Sequence, residues 1–108
     1  MDYVTVSLSG DALVAEITCE IDHHAAKAIR ERVDAVLLER RPKRLVLDFS
    51  GVGFMDSSGI GLVLGRVQKA AEIDCSVCLS GLSDALMRVV RLCGLEKIRN
   101  LTIECASV

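Results

Sequence analysis

The chain has 108 residues, 51% of them apolar but only 3% aromatic, and a net charge of −2 with a pI near 5.6. That length suits one domain whose core is built from Val, Leu, Ile and Ala. The charge gives no general attraction to nucleic acid, no apolar run approaches a membrane span, and Met1-Asp2-Tyr3 lacks the basic start of a secretory signal, so a soluble cytoplasmic protein is expected.

Residues 3–8 and 13–18 both lean to strand, and Ser9-Gly10-Asp11 supplies turn chemistry between them, which predicts a hairpin. Cys19-Glu20-Ile21-Asp22-His23-His24 follows, then a helix over 25–40 with Ala25, Ile29, Val33, Val36 and Leu37 on one stripe and Asp22 as its N-cap. The adjacent histidines point about 100° apart on a helix, which rules out a shared metal. They are either surface polar residues at the helix mouth or part of a binding surface or proton relay. Arg40, Arg41, Lys43 and Arg44 surround the only proline, Pro42, without interleaved aromatics, and read as a solvated helix exit.

Residues 44–66 organise the rest. Leu45-Val46-Leu47 is a strand that passes through Asp48 and Phe49 into a turn-rich segment, and Met55-Asp56-Ser57-Ser58-Gly59 opens a helix. A helix N-terminus carries unpaired N–H groups and partial positive charge, which suits an anion or a hydroxyl that is to be phosphorylated. Ile60, Val63, Leu64, Val67 and Ala71 recur at helical spacing and predict the buried stripe. Ser58, Leu62, Gly65 and Lys69 then fall on the opposite, outward face, with Ser57 on its flank. Gly61 and Gly65 each cost roughly 1 kcal/mol inside a helix. Either this face receives another protein, or the glycines serve tight packing and Leu62 is an ordinary surface apolar residue.

Residues 75–80 read as a short strand, so 44–80 is a strand–helix–strand unit with parallel strands and a right-handed crossover. After Gly81, Ser83 caps a third helix, with Leu82 and Met87 as a staple and Leu86, Val89, Val90 and Cys93 as its stripe. Gly94 marks a left-handed stop, and 100–105 form a last short strand. The expected fold is a single α/β domain over 1–108, a hairpin joined to a mixed, mostly parallel sheet packed with three or more helices. Active groups in such sheets lie beyond the strand carboxyl ends, which brings Glu20, Asp22 and His23 near Asp56, Ser57 and Ser58. The chain holds five cysteines. Cys75 and Cys78 fall on opposite strand faces, so the set reads as buried reduced thiols acting as small hydrophobes, with no metal site.

Glu20-Ile21-Asp22-His23-His24-x-Ala26, Leu47-Asp48-Phe49-Ser50 and Phe54-Met55-Asp56-Ser57-Ser58-Gly59-Ile60-Gly61 closely resemble the anti-sigma factor antagonists, the single-domain STAS proteins. The likeness runs in register over about 4–98 and is nearest to the sporulation members of spore-forming bacteria. It implies that the unphosphorylated chain binds a nucleotide-bound anti-sigma factor serine kinase and so releases a sigma factor. It also implies that the kinase phosphorylates Ser58 to end the pairing and that a serine phosphatase restores it. The implied docking surface comprises Glu20, Asp22, His23, Met55, Asp56, Ser57, Ser58, Gly59, Gly61 and Leu62, with no cofactor, no direct nucleic-acid contact and no membrane. A stress-response antagonist with a different kinase is the alternative within the family. From another class, a serine hydrolase would use Ser58 with His23 or His24 as base, but Met55 to Gly59 is not a G-x-S-x-G elbow. Two departures stand out: Cys19 replaces a common glycine, and the tail after Ile98 is strand-like where many members end in a helix.

Overall fold

Val4–Ser9 (β1) and Ala12–Ile17 (β2) form the expected antiparallel hairpin, with Ser9 paired to Ala12 across the two-residue turn. From β2 onward every strand is parallel to the last. Arg44–Asp48 (β3), Ser76–Leu82 (β4) and Leu101–Cys105 (β5) complete a five-stranded sheet in sequential order. His23–Arg40 (α1), Ser57–Ala71 (α2), and Asp84–Leu92 (α3) followed by a single 3-10 turn at Leu95–Lys97 make the three connections. This computed structural model describes residues 2–105, Cys105 by its backbone alone. The expectation of one domain over 1–108 therefore extends beyond the described residues at both ends.

Register explains which face is core. Leu13, Leu45, Val77 and Leu101 stand side by side across β2 to β5, as do Ala15, Leu47 and Leu79, and all seven are buried. The alternate row, Val14, Val46 and Cys78, is only half-buried and Thr102 is exposed, so the far face of the sheet stays partly open. A strand order that always steps in the same direction, with connections of one hand, stacks its helices on one face. Helix α1 lies against β1, β2 and α2, and α2 against β4.

The helix ends follow local chemistry. Asp22 caps α1 by accepting a hydrogen bond from the Ala25 N–H at 2.8 Å, and Ser83 caps α3 through the Leu86 N–H at 3.2 Å. Gly94, at φ 75°, supplies the left-handed stop after α3. Ala25, Ile29, Val33 and Leu37 bury the expected face of α1, and Val36 is half-buried at its edge. In α3 the buried set is Leu86, Met87 and Val90. Val89 is partly exposed and Cys93 exposed, so the expected stripe is shifted toward Met87.

The orientation of α2 corrects the sequence reading. Gly59, Leu62, Val63, Arg66, Val67 and Ala70 are buried, while Leu64 is 43% exposed and Ala71 is exposed. A single-stripe argument assumes one covered face, whereas α2 is covered on two sides, by the sheet and by α1. Leu62 therefore does not point outward: it is 4% exposed and fills the seam with α1. The thiols are corrected likewise. Cys75 is buried as expected, but Cys19 and Cys78 are half-buried and Cys93 lies on the surface. The Cys105 side chain falls outside the described residues.

Candidate functional site

Two hydrogen bonds align the mouths of α1 and α2. The Ile21 N–H donates to the Phe54 carbonyl at 3.0 Å, and the Asp56 N–H donates to the Ile21 carbonyl at 3.1 Å, making an isolated parallel bridge between Ile21 and Met55. Both residues are buried, so their neighbours Asp22 and Asp56 are delivered to the surface beside each other. Asp56 caps α2 by accepting from the Ser58 N–H at 2.8 Å. Each cap thus fixes the first turn of its own helix while the bridge fixes one helix start relative to the other.

This arrangement brings Glu20, Asp22, His23, Asp56, Ser57 and Ser58 to one end of the molecule, as the sheet topology led us to expect. Glu20, Asp22, His23, Asp56, Ser57 and Gly61 are exposed, and Ser58 is half-buried. Met55 and Gly59 are buried: a Cβ on Gly59 would lie 2.6 Å from the Met55 sulfur and 2.9 Å from its Cβ. With Leu62 they shape the surface from beneath rather than offer side chains to it. Phe54, by contrast, is 57% exposed at the bridge, a large apolar contact that periodicity gave no reason to single out.

Between the two helices runs a groove of about 530 Å³, with Ser58, Gly61 and Gly65 on the α2 side and His23, Lys27 and Arg30 on the α1 side. The glycines are not there for tight packing, since a Cβ at either Gly61 or Gly65 would meet nothing within 4 Å. They keep the groove open. At its base lies Arg66, 4% exposed, with Nε 2.8 Å from Asp34 Oδ1. The oxygen lies off the N–H direction, so this is an ion contact without a hydrogen bond, and Nη1 also has no partner among the described residues. Burial pushes the guanidinium pKa down, Asp34 opposes that, and Arg30 adds to it. Arg66 stays charged at any ordinary pH nonetheless.

Lys27, Arg30 and Arg66 escaped the sequence reading. The available signal was the spacing of His23, Lys27 and Arg30 along one face of α1, which becomes meaningful only once that face is known to oppose Ser58. The two histidines diverge as adjacent helical positions must. His23 enters the groove, and His24 meets the Tyr3 ring edge-on at 6.2 Å between centroids. No hydrogen bond joins His23 to Ser58 among the described residues; the bond at the serine is the one its N–H donates to Asp56.

A mostly parallel sheet whose helix mouths present capped acidic and hydroxyl residues defines a small α/β surface module, and residues 3–105 match the family described as the STAS domain. The chain belongs to that family. Within it the chain resembles the anti-sigma factor antagonists. It is 30% identical over 95 residues to the anti-sigma F factor antagonist of Lysinibacillus sphaericus, covering 88% of this chain and 81% of that one. Against the anti-sigma-B factor antagonist of Bacillus subtilis it is 28% identical over 99 residues, covering 92% and 89%. Among solved structures, the Bacillus cell fate determinant SpoIIAA in its phosphorylated form superposes with a TM-score of 0.75 at 26% identity, covering 96% of this chain and 91% of that one. No helix among the described residues is long and apolar enough to cross a membrane.

Proposed function

We propose that this chain is a cytoplasmic anti-sigma factor antagonist whose unphosphorylated form binds a nucleotide-bound anti-sigma serine kinase and releases a sporulation sigma factor. The observation that carries the reading is the position of Ser58. Its hydroxyl belongs to the first turn of α2, at the rim of a groove and beside the mouth of α1, where Glu20, Asp22 and His23 are exposed. In the reaction the γ-phosphoryl of ATP passes to Ser58 Oγ, the bond to ADP breaks and the hydroxyl proton is lost. A serine phosphatase hydrolyses the ester and regenerates the binding form. Docking uses Glu20, Asp22, His23, Asp56, Ser57, Ser58 and Gly61 at the surface, with Met55, Gly59 and Leu62 shaping it.

The switch needs no refolding. A phosphoserine brings a charge of about −1.5 to −2, which a helix N-terminus tolerates. Inside a closed interface, close to Asp22 and Asp56, the same charge meets like-charge repulsion and desolvation, so binding is lost while the fold persists. The likeness to the anti-sigma-B antagonist favours a second reading, a stress-response pathway with a different kinase and the same chemistry.

The test is incubation with each candidate anti-sigma kinase and ATP, followed by intact-mass and fragment mass spectrometry. One phosphate is expected, on Ser58. Ser58→Ala should stay bound and Ser58→Asp should bind weakly; equal binding by the two removes the charge switch. Hydrolysis of a chromogenic ester that disappears in Ser58→Ala would instead make the chain a hydrolase.

A further inference from the structure

The groove between α1 and α2 carries more positive charge than its surroundings neutralise. Lys27 and Arg30 reach it from exposed positions on α1, and among the described residues neither makes an ion pair. Arg66 closes it from α2, almost wholly buried, and among the described residues Asp34 is its one acidic contact and Nη1 has no partner. A buried guanidinium with an unmet donor and a second arginine nearby leaves positive charge beneath the groove that an anion above it would offset. Ser58 stands on the same groove, and the floor between it and Arg66 is Gly61 and Gly65, neither of which is demanded by packing.

We infer that this groove is the receptor for a phosphoryl group on Ser58, so that the modified serine is clamped within its own chain by Lys27, Arg30 and Arg66. The inference rests on the reading of Ser58 as a phosphorylation site. The charges facing the group set its direction. Asp22 and Asp56 at the helix caps repel a dianion, and the Asp56 carboxylate already accepts the Ser58 N–H, so the phosphoryl is pushed away from the caps. Ahead of it lie His23, Lys27 and Arg30 on α1 and Arg66 on α2, with Asp34 behind Arg66. Modification then acts twice: it adds negative charge at the docking end and withdraws the groove's cations from any acidic side chain a partner would offer.

Phosphoserine is installed genetically at position 58, or at exposed position 57 as control, so that no kinase is required. The second ionisation of each phosphate is followed by 31P NMR titration on the folded full chain. Both positions lie in the first turn of α2, so the helix terminus affects them alike and their difference reports the groove. The phosphate at 58 should titrate about half a unit or more below that at 57. The gap should collapse in the Lys27→Ala, Arg30→Ala double variant, whose altered side chains are exposed and leave the core untouched. Equal titration at the two positions, or a gap indifferent to the double variant, overturns the clamp. Tight inorganic phosphate binding to the unmodified chain with no gap reassigns the groove to a free anion. A kinase that discriminates Ser58→Ala from Ser58→Asp while the gap is absent defeats the clamp alone; a clamp present with an indifferent kinase defeats the switch alone.

Discussion

Glycines within one helix can have opposite physical meanings, and α2 carries both kinds. Gly59 lets Met55 fold beneath the helix, and a Cβ there would strike the Met55 Cβ at 2.9 Å, an atom too near the backbone to swing aside. Gly59→Ala should lower stability by about 1 kcal/mol, because overpacking outweighs the helix propensity regained. Gly61→Ala meets open space and should raise stability by roughly 0.5–1 kcal/mol. Urea denaturation of both variants checks the pair of signs. Binding of Gly61→Ala to the proposed anti-sigma kinase then reports whether the open floor is used, since a more stable variant that binds less well has lost fit rather than fold. Gly81 is different again. At φ 70° and with the Ser50 N 2.8 Å from where a Cβ would sit, it occupies a place only glycine fills without strain.

Helices α1 and α2 are tied at two places, by the Ile21–Met55 bridge at their mouths and by the Asp34–Arg66 contact further along. The second tie is a charge pair in a poorly hydrated setting, where the loss of one member harms more than the loss of both. Asp34→Ala should destabilise the fold by about 3 kcal/mol, since it leaves Arg66 buried without an acidic contact among the described residues. Adding Arg66→Met should recover much of that loss. Equilibrium unfolding of the single and double variants measures this directly; a double variant no more stable than Asp34→Ala would show that the arginine stem, not its charge, matters. The same seam explains the rotated face of α2. Leu62 is drawn inward by its contact with α1, and Leu64 is left facing water.

The molecule as a whole responds to alkali through its thiols. Burial raises the pKa of Cys75 above its usual 9.0, as it does for Cys19 and Cys78, with Asp22 and Glu104 adding to the rise at those two sites respectively. These groups prefer the neutral form in the folded chain, so the unfolded chain ionises first as pH climbs. Their contribution is complete below about pH 9 and is lost progressively as pH passes through the raised folded values. The urea midpoint should therefore fall above pH 9, and Cys75→Ala should make that fall shallower. A midpoint that is flat to pH 10 would contradict this.

Much of the architecture was legible in the chain because it follows from local rules. The hairpin turn through Gly10 and Asp11, the caps at Asp22 and Ser83, the Gly94 stop and the parallel strand pairings all come from turn chemistry, orphan N–H groups and short apolar runs. The meeting of Asp22 with Asp56 was also inferable, because parallel strands deliver their carboxyl ends to one edge. What periodicity could not supply was the number of covered sides on α2. A hydrophobic stripe counts apolar residues about a single axis, so a helix wedged between a sheet and another helix buries Leu62 and even Arg66 where the pattern expects solvent. The groove beside Ser58 is a property of two helices whose facing residues lie 28 or more positions apart in sequence. Its cations, Lys27, Arg30 and Arg66, converge on one space only because the sheet sets α1 and α2 side by side.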